Sequence, residues 1–416
     1  MPPSEPIRLI LEAPSFDAAS GRLTLGWTLE RCGAARQLEE QFDFGPCDAL
    51  SGPRRAAFDA AVRLLHRIAG VSYWKVACRG EVVLEGPAPE ADEAALLTAV
   101  YRDGLAELAW RNELAAPWWP EFPTAAGAAP PAPALGLSER VLVPMGGGKD
   151  SLVALERVRA AGATFETVQV GGAALIARVA ERTGAPHRVI GRRLDPALRE
   201  FNAAGALNGH VPITAINAAV LAVAAVLWDA GAVVFANERS ADAPTLEVDG
   251  RAVNHQWAKS LAFEAAFDDW IHQHVAADLR VFSLLRCDRE LGITREFAAL
   301  DRYHDVFSSC NRNFHLDGPR TERWCGACPK CRFVFLALAP FLPPAGLRAI
   351  FGRDLLADAD ADAIEGFAEL LELDGHRPFE CVGEADEARA AITALAADPH
   401  WRARPVVEAL EARLGA

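Results

Sequence analysis

The segment Pro144-Met-Gly-Gly-Gly-Lys-Asp-Ser151 has the make-up of a phosphate-binding loop. Three successive glycines, Gly146, Gly147 and Gly148, let the backbone approach a ligand and turn neighbouring N–H groups into one concavity. Lys149 adds a full positive charge. Asp150 and Ser151 stand where they can cap a following helix, whose positive end favours an anion. The spacing is not that of the Walker loop, which has four residues between its first glycine and the Gly-Lys pair. It is not the dinucleotide pattern either, because Lys and Asp follow the third glycine directly. Other polar runs come later: Val170-Gly-Gly172, Asn237-Glu-Arg-Ser240, Val253-Asn-His-Gln256 and Lys259-Ser260. Asn237, Arg239 and Ser240 are candidate nucleotide ligands, with Arg239 as a phosphate clamp. Glu238, His255 and Lys259 are candidates for acid–base chemistry.

The nine cysteines are an odd number, and three fall in the seven-residue run Cys325-Gly-Ala-Cys-Pro-Lys-Cys331. Cys310 lies upstream, with fourteen residues between it and Cys325. Four thiolates, Cys310, Cys325, Cys328 and Cys331, can close a tetrahedral zinc site, and His315 is an alternative to Cys310. Reduced cysteines packing a turn, an iron–sulfur cluster and a catalytic Cys310 are the other readings. The clustering speaks for a reducing compartment rather than a disulfide framework.

At 416 residues the chain has room for two or three domains and for cores that need no covalent staples. Its net charge of −14 disfavours a nucleic-acid or anionic-membrane partner but not a small polyanion held in a local positive pocket. Only four of its 42 basic residues are lysines (Lys75, Lys149, Lys259 and Lys330), which hints that a lysine marks a place needing a compact charge. The start carries no pattern of a secretory signal. The most apolar stretch, Ile213 to Ala236, is interrupted by Asn217, Asp229 and Gly231, so it reads as a buried helix running into a strand. A cytoplasmic protein is expected.

The elements that must position these residues follow from periodicity. Residues 1–116 read as an α+β domain. Strands are expected at Ile7–Leu11, Arg22–Trp27, Gln41–Phe44 and Glu81–Glu85, and helices at Ala57–Ala69 and Glu90–Leu114, the latter capped near Asp92. Residues 117–137, rich in proline and alanine, read as an extended linker in which Trp118 and Trp119 dock. From 138 to 342 strand and helix alternate, which predicts an α/β fold with a doubly wound parallel sheet. Such sheets bind ligands at the carboxyl ends of their strands, where the polar runs lie. Residues 343–416 read as a small helical region interrupted by His376-Arg-Pro-Phe-Glu-Cys-Val382.

The glycine loop resembles the PP-loop of the N-type ATP pyrophosphatases, whose pattern is Ser-Gly-Gly-x-Asp-Ser. Gly147, Gly148, Asp150 and Ser151 match it, and Gly146 replaces the leading serine. The resemblance implies a PP-loop fold and ATP cleaved to AMP and diphosphate as an oxygen nucleophile is adenylated. It also implies Mg²⁺ near Asp150, and Gly171 and Gly172 near the adenine ring. The cysteine run resembles the zinc clip of the preQ0-synthesis branch of those enzymes. With Gly70-Val-Ser-Tyr-Trp-Lys75, Tyr101-Arg-Asp-Gly-Leu-Ala-Glu107, Cys310-Asn-Arg-Asn-Phe314 and Gly375–Gly383, the ordered set is similar to the MurL family over nearly the whole chain.

MurL proteins are ATP-dependent epimerases of UDP-N-acetylmuramoyl-L-alanyl-L-glutamate, so a UDP-sugar dipeptide is the implied substrate. Adenylation would remove the charge of a carboxylate and make its α-proton available to a base, giving an enolate that donors can stabilise. Cys310, His315, His255, Lys259, Glu238, His376, Glu380 and Cys381 are candidate proton carriers. Lys75 and Arg102 are candidates for the UDP phosphates. The competing readings are a preQ0-like or tRNA-modifying adenylating enzyme, which the acidic balance disfavours, and a nucleotide- and zinc-binding regulatory module.

Overall fold

The computed structural model describes residues 6–127, 130–314, 322–373 and 375–415; His315 lies outside the described residues. Ten of its strands form one sheet. The first block is β1 (Ile7–Leu11), β2 (Ser15–Asp17), β3 (Arg22–Arg31), β4 (Ala34–Asp43) and β5 (Gly80–Leu84). The second is β6 (Val141–Pro144), β7 (Phe165–Val170), β8 (His187–Arg193) and β9 (Ala232–Phe235), with β10 (Leu246–Val248) and β11 (Arg251–Val253) as a separate hairpin and β12 (Arg280–Ser283) completing the block. The order is β12-β9-β6-β7-β8-β4-β3-β1-β5, with β2 on β3.

Strands β12, β9, β6, β7 and β8 pair in parallel. The chain runs outward from β6 to β8, then returns to β9 on the other side of β6. The order therefore reverses between β6 and β9, and loops leaving their carboxyl ends open a crevice there. Strand β4 pairs antiparallel with β8, so the sheet continues from one block into the other. Across that seam the fully buried Glu40 accepts a 2.6 Å hydrogen bond from Arg192, which satisfies a charge that burial would otherwise penalise.

Side chains alternate to the two faces of the parallel block. Leu142 and Val233 join a core with β1–β5, the helix Gly52–Ala69 and the apolar helix Ile213–Trp228. Val143 and Val234 join a second core with the helix Lys149–Ala160 and the C-terminal helices from Pro329 onward.

The strand-and-helix rhythm holds, with local corrections. Strand β4 begins at Ala34, seven residues before the expected start, because all ten of its residues pair with β3. The turn between them places both Cys32 (φ 51°) and Gly33 (φ 77°) in the left-handed region, as a tight hairpin requires. The expected helix from Glu90 is two, Ala91–Arg102 and Ala106–Arg111, and its N-cap is Glu90 rather than Asp92. The helix after the glycine loop starts at Lys149, with Gly148 as N-cap. Ser151 is therefore inside it, and its hydroxyl donates back to the Gly148 carbonyl at 3.0 Å.

The described residues of the 117–137 segment run without helix or strand and are pinned. Trp118 Nε1 donates to Arg102 O, Ala132 N to Gln273 O, and the N–H groups of Leu135 and Leu137 to the Asp278 carboxylate. Among the described residues no helix is long and apolar enough to cross a membrane.

Candidate active site

The crevice between the ends of β6 and β9 is lined by Lys149, Asp150, Asn237, Glu238, Gln256, Lys259, Glu290, Ser309, Lys330 and Cys381, among others. Three of the four lysines in the chain thus meet in one pocket. The fourth, Lys75, is buried elsewhere and donates to Asn208 Oδ1 at 2.6 Å. The pocket is small and polar. Lys149 is 2% exposed and bonds both Asp150 and Glu290. Burial pulls its ammonium down, but the two carboxylates more than offset this and hold it charged. Burial also pushes Glu290 and Glu238 above the usual carboxylate range, against the pull of Lys149. Ser240 steadies Glu238, its N–H donating at 2.6 Å to one oxygen while its hydroxyl donates to the other.

The glycine loop is shaped by two close approaches. Gly147 has φ +80°, and a Cβ there would meet Leu175 at 2.9 Å. A Cβ on Gly148 would meet Ser309 Oγ at 2.6 Å. The Gly147 carbonyl accepts from Ser308 N at 3.0 Å, which ties the loop to the segment leading into Cys310. Asn237 and Glu238 reach the pocket, whereas Arg239 is exposed and outside its wall, and Ser240 is buried behind Glu238. Gly171 and Gly172 leave β7 next to β6, with open space where side chains would stand.

Opposite Lys149 lies a second cluster. Lys259 Nζ donates to Cys381 Sγ at 3.2 Å. His255 lies beside this cluster, its Nδ1 2.6 Å from Glu107 Oε2. Glu107 also accepts from Arg111 at 2.7 Å. Sequence reasoning had no role for Glu107, Glu290 or Lys330. Only the rarity of lysine pointed at the last of these.

The four thiols Cys310, Cys325, Cys328 and Cys331 converge within 4.8 Å of one another. The contacts are Cys310–Cys328 at 3.9 Å, Cys325–Cys331 at 3.7 Å and Cys328–Cys331 at 3.4 Å. A tetrahedron with Zn–S bonds of ~2.3 Å has edges of about 3.8 Å, so the set fits zinc despite the long gap before Cys310. Cys310 stands in this cluster and outside the pocket wall.

Beside the pocket runs a groove of about 1510 Å³. Trp110, Trp118, Trp119 and Trp257 line it, with Arg102 and Arg251. Residues 254 to 260 divide the two spaces: Asn254, Trp257 and Ser260 face the groove, and Gln256 and Lys259 face the pocket.

A family model described as the MurL N-terminal domain matches residues 3–284, and one described as the MurL C-terminal domain matches residues 306–416. The chain belongs to the MurL family. Three relatives, each named UDP-N-acetyl-alpha-D-muramoyl-L-alanyl-L-glutamate epimerase, match along 95% of this chain. That of Xanthomonas oryzae pv. oryzae is 48% identical, with 87% of its length covered. Those of a Micromonospora strain and of Salinispora tropica are 45% and 43% identical, with 88% and 86% covered. The MurL N-terminal match contains the whole ten-stranded sheet, and the C-terminal match contains the thiol cluster, Lys330 and Cys381. The pocket is built from both.

Proposed function

We propose that the chain inverts the terminal L-glutamate of UDP-MurNAc-L-Ala-L-Glu to D-glutamate in peptidoglycan precursor synthesis, at the expense of ATP cleaved to AMP and diphosphate. The names of its MurL relatives support the substrate and the outcome. One observation carries the ATP-dependent route: three scarce lysines converge on a glycine loop at the crevice where the strand order reverses.

In this reading the loop is a PP-loop. The N–H groups at the start of the helix Lys149–Ala160, with Lys149, hold the departing diphosphate. The substrate's α-carboxylate attacks the α-phosphorus and becomes an acyl adenylate. Its charge gone, the group now acidifies the α-proton, and an enolate forms that Lys259 and Lys330 can stabilise. A proton returned to the other face inverts the centre, and water releases AMP. Asp150, Glu238 and Glu290 are the hard oxygen donors that would hold Mg²⁺, which when bound offsets triphosphate charge. The tryptophan-lined groove has the size and ring faces for the uridine and sugar portion, with Arg102 and Arg251 beside it. The thiol cluster is a structural zinc site on this account.

Incubation with ATP, Mg²⁺ and UDP-MurNAc-L-Ala-L-Glu in D2O tests the proposal. Deuterium should enter the terminal Cα in step with AMP release. ATP turnover with no label at Cα would point to a different adenylation.

A further inference from the structure

The tail segment Gly375–Gly383 reaches the pocket from far along the chain and is held there by three devices. Arg377 is 4% exposed, and its guanidinium donates to the carbonyls of Ala243, Pro244 and Gly383. Phe379 stacks on Trp110 with ring centroids 4.9 Å apart, under the Arg111 guanidinium at 4.7 Å. Gln256 Nε2 reaches the Val382 carbonyl at 3.5 Å. The product of this anchoring is one side chain in the pocket wall, Cys381.

On the reading above Asp150, Glu238 and Glu290 are committed to the cation, and the other basic groups near Cys381 are tied to one another. The Lys259 ammonium donates to the sulfur. His255 is engaged by Glu107 through Nδ1. Glu107 is shared between His255 and Arg111. Both oxygens of Glu238 accept from Ser240, and Glu290 is bound to Lys149. His210 faces His255, ring centroids 4.3 Å apart, and stands outside the pocket wall. That leaves the sulfur of Cys381.

Resting on the adenylation reading above, we propose that Cys381 is the catalytic base that takes the α-proton of the adenylated substrate on one face, with His255 and Glu107 as positioning residues. In this step the Cα–H bond breaks and an S–H bond forms. The electron pair moves into the acyl group to give the enolate, whose charge Lys259 and Lys330 in the same wall offset. The reverse step returns the proton from sulfur to that face. The surroundings keep the sulfur ionised. Burial pushes the thiol up, but Lys259, Lys330 and His255 hold it well below its ordinary value. Glu380, which faces the group as well, accepts from Asn311.

The test separates two half-reactions in the full chain with ATP, Mg²⁺ and UDP-MurNAc-L-Ala-L-Glu. Exchange of labelled diphosphate into ATP reports adenylation, and deuterium entry at Cα from D2O reports proton transfer. Cys381→Ala and Cys381→Ser should each lower the ratio of Cα exchange to diphosphate exchange by about a hundredfold or more. His255→Gln should lower it less and move the acidic limb of the exchange–pH profile to higher pH, because the thiolate loses a cation. Cα exchange at the wild-type ratio in either Cys381 variant overturns the assignment. So does loss of both reactions in both variants, which would make Cys381 a part of the pocket's framework. A wild-type protein without diphosphate exchange overturns the adenylation reading instead, before any variant is compared.

Discussion

The sulfur of Cys381 accepts a hydrogen bond from Lys259 at 3.2 Å across 122 positions of sequence. Lys259 ends a single 3₁₀ turn after the polar run at Val253, and Cys381 lies in a coil segment. The contact therefore depends on what docks the segment, chiefly the buried fork of Arg377.

Arg377→Lys tests that dependence. A lysine keeps the charge but cannot span the carbonyls of Ala243, Pro244 and Gly383 together. Hydrogen bonds from a charged donor contribute roughly 1.5–3 kcal/mol, so a loss of about 2 kcal/mol is expected in denaturant unfolding. Epimerisation should fall further than ATP affinity, since the lysines of the loop side are untouched.

The glycine loop makes a second prediction from two neighbours of unequal constraint. Gly147→Ala must hold a left-handed φ and push Leu175 away, a strain of roughly 1–2 kcal/mol before any loss of nucleotide contact. Gly146 has open space around it and no positive φ. Isothermal titration with ATP should show Gly147→Ala weakening binding at least about tenfold more than Gly146→Ala. Equal losses would mean that the loop's conformation is not what the ligand reads.

These contrasts show where the sequence was readable. The loop was legible because its chemistry is local: three glycines, a lysine and an acid within one turn. The parallel block was legible because Val141–Val143 and Ala232–Phe235 are short apolar runs between helical segments. The first seven residues of β4, Ala34-Ala-Arg-Gln-Leu-Glu-Glu40, lack β-branched side chains and become strand only through the partner β3. Glu290 and Glu107 were invisible for the same reason. Each acquires its role from a partner 141 or 148 positions away, Lys149 and His255 respectively. Arg239 shows the converse: the polar run at the end of β9 predicts a ligand-facing arginine, but the chain turns into a 3₁₀ helix at Arg239, which keeps Asn237 and Glu238 at the pocket and leaves the arginine exposed.

The thiol cluster yields a third prediction. Metal analysis of protein purified without chelator should find one zinc per chain, absent from Cys328→Ala. Because a structural site couples metal affinity to folding, the variant should also melt several degrees lower. The second core should be the first to loosen, since Cys310, Cys328 and Cys331 are part of it. A zinc-free wild type of unchanged stability would reduce the cluster to packing.

The pH dependence of stability gives the last prediction. Burial lowers His255, but Cys381 and Glu107 more than offset this and raise it to about 9 from an ordinary 6.5. Stability from that shift is fully present below about pH 6.5 and is lost as pH rises through about 9. Cys381 is depressed from an ordinary 9.0, so its contribution is present above that value and is lost as pH falls through its folded pKa. Glu290, which burial raises to about 8, adds a falling slope of its own up to about that pH; from there to about 9 the slopes of His255 and Cys381 oppose each other, each worth one proton, and wild-type stability should be nearly flat. His210, pushed down to about 4 by burial and by His255, stays neutral there and adds no slope. His255→Gln removes the falling limb and leaves Lys259 and Lys330 to hold the thiolate. Its stability in urea should therefore rise with pH across this window, by at most about 1.4 kcal/mol per pH unit. A flat profile in the variant would mean that Cys381 is a neutral thiol in the folded chain.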